Sequence, residues 1–74
     1  MKITSAHWIN QEPKGEGLVV RTRHRGPLAP VTTLKKLPNG DWEVKVKEPI
    51  RALSPGQSAV LYQGNNCLGG GIII

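Results

Sequence analysis

Seventy-four residues suffice for one domain, and a chain this short buries only about 60% of its unfolded surface. No apolar run approaches the roughly 18 residues of a membrane span, no basic segment followed by an apolar one opens the chain as a signal peptide would, and the single cysteine, Cys67, has no partner for an internal disulfide. Ten Lys and Arg against five Asp and Glu leave a net charge of +5, which biases the chain toward phosphate-rich partners and, with the lone cysteine, fits a reducing, cytoplasmic setting.

Nine glycines and six prolines punctuate short segments rich in Val, Ile, Thr and Trp. That pattern predicts an all-β fold, and no i, i+3, i+4, i+7 apolar pattern lasts three turns, so no long helix is expected. Six strands are read, at about Ile3–Asn10, Leu18–Arg25, Val31–Leu37, Asp41–Lys47, Ser58–Gln63 and Asn66–Ile73. Lys14–Gly17 reads as a polar loop, and Gly26-Pro27-Leu28-Ala29-Pro30 separates the second strand from the third. Asn39-Gly40 predicts a two-residue type I′ hairpin. Its register would oppose Leu37 to Trp42, Lys35 to Val44 and Thr33 to Val46, with Lys36 facing Glu43 and Lys35 snorkelling among apolar partners. Pro55-Gly56 predicts a type II turn, and Gly64-Asn65 or Asn65-Asn66 the last reversal. Ile72-Ile73-Ile74 is too apolar for a free tail and is expected mostly paired and buried. Six short strands hide their edges most economically by closing into a small antiparallel β-barrel.

Arg21, Arg23 and Arg25 alternate along the second strand. Alternate strand residues share a face, which would set three guanidiniums about 7 Å apart, a spacing suited to phosphates along one nucleic-acid strand. The other face would send Leu18, Val20, Thr22 and His24 mostly toward the core. These three arginines are the candidate RNA-binding residues. Lys45 and Lys47 also share a face, but with Glu43 on it and Glu48 adjoining they read as a solvated surface. Trp42 falls in the expected core and Tyr62 is expected half-buried, so contact with the RNA backbone is favoured over base stacking.

No catalytic or metal-binding residue is assigned. His7, His24 and Cys67 are the soft ligands, and none stands at a ligand spacing from another. Cys67 has no base or cation nearby in sequence and reads as a small buried apolar residue. Gly69-Gly70-Gly71 lacks the Lys and Ser or Thr of a phosphate loop. Adjacent glycines in a last strand point instead to close backbone approach, a bulge or a barrel corner.

Three segments carry a family resemblance. They are Thr22-Arg23-His24-Arg25 leading into Val31-Thr32, the run Glu48-Pro49-Ile50-Arg51-Ala52-Leu53-Ser54-Pro55-Gly56-Gln57-Ser58-Ala59-Val60-Leu61-Tyr62, and Cys67-Leu68-Gly69-Gly70-Gly71-Ile72-Ile73. Together, with His7-Trp8-Ile9 near the entry, they resemble the C-terminal domain of the bacterial and mitochondrial tRNA-specific 2-thiouridylases across nearly the whole chain. His24 and Gly26 depart from the pattern, standing where members often have Tyr and Gln. An ATP-binding loop of the SGGxDS kind and the pair of sulfur-handling cysteines do not occur in this sequence. Met1 is therefore expected to be either an engineered start or the start of a chain begun at a domain boundary.

The resemblance implies that the full-length enzyme uses ATP and Mg²⁺ to adenylate the wobble uridine of tRNA, and that a cysteine persulfide then delivers sulfur. Such enzymes are sometimes labelled methyltransferases, a name that this chemistry does not support. For this chain it implies an accessory role: no cofactor of its own, no enzymatic activity alone, and as partners tRNA and the catalytic domain of the parent enzyme. The alternative expectation is a purely structural domain that docks the catalytic domain without RNA affinity of its own.

Overall fold

The computed structural model describes residues 1–10, 12–13, 16–23, 26–48, 50 and 53–74. Six strands form: β1 (Lys2–Trp8), β2 (Leu18–Arg21), β3 (Ala29–Lys36), β4 (Trp42–Val46), β5 (Ser58–Gln63) and β6 (Asn66–Ile73). They close into one barrel in the order β1-β4-β3-β2-β5-β6, and every neighbouring pair is antiparallel. No helix occurs among the described residues.

Period-two alternation builds the core. Ile3, Val20, Trp42, Val44, Ala59, Leu61 and Ile73 point inward from five of the strands, and Leu18 is buried with them. Each large apolar side chain so buried contributes about 1.5–3 kcal/mol. The eight-residue β3 has no fully buried residue and packs on this core only through the half-buried Ala29, Val31 and Leu34. Trp8 meets Trp42 edge to face, with ring centroids 5.3 Å apart and an interplanar angle of 84°, a geometry that suits the ring quadrupoles.

A six-stranded barrel needs sharply bent strands, and three register shifts supply the bends. They fall between Thr4 and His7 in β1, between Val31 and Thr33 in β3, and opposite Leu61 and Tyr62 in β6. Each extra residue locally increases twist and curvature. Ser5 marks the first with φ +54°. At the second, the Thr32 hydroxyl donates to the Lys45 carbonyl at 3.1 Å.

The β3–β4 hairpin departs from the sequence expectation by one register. The pairs are Leu34 with Val44, Lys35 with Glu43 and Lys36 with Trp42. A two-residue Asn39-Gly40 loop would need Pro38 to donate a closing hydrogen bond, and proline has no N–H. Leu37 does this instead, its N–H reaching the Asp41 carbonyl at 2.7 Å, while Gly40 N–H reaches the Leu37 carbonyl at 3.0 Å. The loop is therefore three residues long, with Gly40 alone at positive φ (+92°), a type I turn followed by a bulge glycine. Asp41 ties the turn to β1 by accepting from the Thr4 hydroxyl at 2.8 Å. As a result Lys36, not Lys35, is the lysine on the apolar-facing side, and Lys35 is the one opposite Glu43.

The other reversals match expectation. Gln57 N–H closes on the Ser54 carbonyl at 3.2 Å around Pro55-Gly56, with Gly56 at φ +92° as a type II turn requires. Gly64-Asn65 turns β5 into β6. The glycine triplet explains itself at Gly70, which pairs with His7 on one side and Val60 on the other. A Cβ there would strike the Ala59 carbonyl oxygen. The C-terminal isoleucines are only partly buried: Ile73 points into the core, and Ile72 and Ile74 are exposed, because the strand alternates to its end.

Candidate nucleic-acid interface

The short β2 places the first candidate residue. Leu18 and Val20 point into the barrel, so Val19 and Arg21 point out. Arg21 pairs with Val60 of β5, and Tyr62 lies two residues further along that strand. This is the diagonal neighbour on the same face, within reach of a long side chain. The Arg21 guanidinium carbon lies 5.3 Å from the centroid of the Tyr62 ring, a cation–π contact. Arg21 Nε is sequestered from solvent and has no hydrogen-bond partner among the described residues.

The strand ends at Arg21, earlier than the sequence suggests. The chain bends at Arg23, whose carbonyl accepts from Gly26 N–H at 2.9 Å. Strand alternation therefore does not position Arg23, and the turn does. Arg23 is exposed and still borders the same surface as Arg21. The two line an open depression of about 440 Å³ with Thr22, Gln57, Ser58, Val60 and Tyr62. Thr22 is half-buried rather than core. Arg25 and His24 lie outside the described residues, as do Lys14 and Gly15 of the expected polar loop and Pro49, Arg51 and Ala52 of the central segment.

Lys45 and Lys47 are exposed, and Lys45 faces Thr33 across the hairpin. Lys36 pairs with Glu12 at 3.2 Å, an exposed contact worth at most about 1 kcal/mol. Trp42 is buried, Trp8 and Tyr62 are half-buried, and Arg21 covers the Tyr62 ring. Cys67 is exposed, not buried. It is the second residue of β6, opposite Tyr62, just ahead of the register shift that resets which face each later residue takes. Among the described residues no three His, Cys, Asp or Glu side chains group together as a metal site would require. Gln57 and Ser58, missed in the sequence, reach the arginine surface because the Pro55-Gly56 turn delivers them to the start of β5. That turn was the signal that could have found them.

The glycine-pinned closed barrel with a basic outer face has a family counterpart. A family model described as the aminomethyltransferase beta-barrel domain matches residues 1–73. The chain belongs to that family. Relatives of this aminomethyltransferase-type barrel domain include the tRNA-specific 2-thiouridylase MnmA of Idiomarina loihiensis, 46% identical over 69 residues, covering 90% of this chain and 18% of the relative. The protein of the same name from Shewanella sp. strain ANA-3 is 44% identical, covering 99% of this chain and 20% of the relative. The one from Klebsiella pneumoniae subsp. pneumoniae is 48% identical, with 90% and 18% covered. The resemblance to the C-terminal domain of tRNA 2-thiouridylases is thereby borne out, and the chain spans about a fifth of the length of the relatives it matches. Beyond its basic surface, this barrel domain presents a second depression. Pro27, Leu28, Ala29, Pro30 and Ile50 line it, with Arg23 and Glu48 among its polar residues.

Proposed function

We propose that this barrel is the accessory tRNA-contacting domain of an ATP-dependent enzyme that thiolates the wobble uridine of tRNA. The observation that carries the reading is the pairing of Arg21 and Arg23 on one open surface of a barrel with net charge +5, in a family whose matched relatives are named for tRNA 2-thiouridylation. Guanidinium groups neutralise phosphates and hold the RNA in register without reading its sequence. Arg25 belongs to the same proposal as the third arginine of the run. Catalysis, with its ATP, Mg²⁺ and sulfur chemistry, is assigned to the parent enzyme's catalytic domain, which is the barrel's second partner.

The test is an NMR titration of the 74-residue chain with unmodified tRNA at low and at moderate salt. Salt-sensitive shifts clustered on Leu18–Arg23 and on Gln57–Tyr62 are expected. A well-folded sample whose resonances do not move overturns the RNA reading. It would favour instead the purely structural role, in which the apolar depression around Leu28, itself exposed, docks the catalytic domain.

A further inference from the structure

Arg21 is more than one charge in a basic run. Its guanidinium is steered by Tyr62 at 5.3 Å, which limits the side chain's rotamers and aims the planar fork of donors. Its Nε–H, sequestered from solvent, lacks an acceptor among the described residues. Arg21 as a whole is only half-buried, and a guanidinium with unpaired donors favours an acceptor brought by a ligand.

The neighbouring groups are donors too. The Gln57 side-chain oxygen accepts from Ser54 N–H at 3.1 Å. That contact fixes the amide orientation, because a backbone N–H can only meet the oxygen. The Gln57 NH₂ group is thus committed to donating. Ser58 adds a hydroxyl, Arg23 a second guanidinium and Thr22 another hydroxyl, and no carboxylate is among the described residues lining this depression. A concave surface lined by donors and positive charge suits an oxyanion.

We propose that this depression is a seat for a single phosphate group, held by Arg21, Gln57 and Ser58 with Tyr62 as the clamp on Arg21, and that a backbone phosphodiester of the RNA occupies it in the complex. The second half rests on the proposed RNA-contacting role, whereas the seat itself does not. The shared chemistry is a phosphate oxyanion, whether free, on a nucleotide or within RNA.

The test uses two ligands and three chains. Inorganic phosphate and then unmodified tRNA are titrated into the ¹⁵N-labelled 74-residue protein, following the Arg21 Nε–H and the Gln57 side-chain amide. Sodium acetate serves as the carboxylate control. Gln57→Glu keeps an oxygen for Ser54 N–H but replaces the donor with a carboxylate oxygen, so the turn survives and phosphate is repelled. Lys45→Gln makes the same unit change in net charge on β4, which is not a neighbour of β2 or β5 in the barrel order. The seat predicts that phosphate moves both side-chain signals more than acetate does, and that Gln57→Glu weakens tRNA binding about tenfold while Lys45→Gln weakens it less than twofold.

Phosphate shifts without any tRNA binding would sink the RNA reading and leave the seat standing for another phosphorylated ligand. Strong tRNA binding weakened equally by the two variants would leave the RNA reading standing and overturn the seat. Acetate acting as well as phosphate would also overturn it, identifying a general anion contact such as a partner protein's carboxylate would make.

Discussion

At the scale of single residues the barrel is held by a few positions with no slack. Leu61 is fully buried at its centre, and Leu61→Ala should cost about 2–5 kcal/mol through lost transfer energy and the cavity left behind. Gly70 fails for the opposite reason. It lies between the backbones of β1 and β5, and any Cβ collides with the Ala59 carbonyl oxygen, an atom of the ladder that cannot swing aside. Gly70→Ala is therefore expected to destabilise by at least about 3 kcal/mol, at the upper end of overpacking penalties. For a domain of this size, whose total stability is on the order of 4–11 kcal/mol, either change is a large fraction. Urea denaturation followed by tryptophan fluorescence measures both. A Gly70→Ala midpoint within error of the parent would show that β6 can shift away from β5, contrary to the tight three-strand packing described above. The glycine triplet's role in close approach was visible in the sequence. The exposure of Cys67 was not, because it depends on which side of a bulge the residue falls, and that is set by barrel closure rather than by local pattern.

At the scale of elements, Gly40 separates conformational cost from steric cost. It has φ +92°, and a Cβ there would meet nothing within 4 Å. Gly40→Ala should cost roughly 1–2 kcal/mol, all of it from forcing an L residue into the left-handed region. Gly40→Asn should recover part of this, since asparagine tolerates that region better. The prediction is a lowered urea midpoint with an unchanged slope, Ala lower than Asn. Equal midpoints for Ala and Asn would mean that the turn relaxes into another type. The same hairpin shows how far the sequence could be read. Asn39-Gly40 located the turn correctly, and the Gly and Pro punctuation located all six strands, with β5 and β6 at the observed bounds. The register differs by one from the two-residue reading because Pro38 has no N–H to close that loop. The second strand ends sooner than the alternation of Thr22 and Arg23 implies, because the chain bends at Arg23 and leaves the sheet. The glycine triplet hints at the bulge in β6, whereas no local signal marks those in β1 and β3, which answer to the global demand that a six-stranded sheet close on itself.

At the scale of the whole molecule, one quantity should drive two observables in opposite directions. The chain has twice as many cationic as acidic side chains, and the Lys36–Glu12 contact is an exposed pair of small energetic weight. Uncompensated like charge on so small a body opposes the compact state, and added salt screens it. Raising NaCl from about 20 to about 200 mM should therefore raise Tm by roughly 2–4 °C, the shift expected from about half a kcal/mol in a domain of this size. The same salt should weaken tRNA binding, because phosphate contacts release counterions and displaced ions return at higher concentration. If Arg21 and Arg23 each neutralise one phosphate, the double variant Arg21→Gln/Arg23→Gln should flatten the plot of log affinity against log salt by roughly two units. The variant should also melt slightly higher at low salt, having lost two like charges, unless the Arg21–Tyr62 contact offsets that gain. Melting curves and binding isotherms over one salt series decide the matter. An unchanged binding slope in the double variant would remove these arginines from the RNA interface.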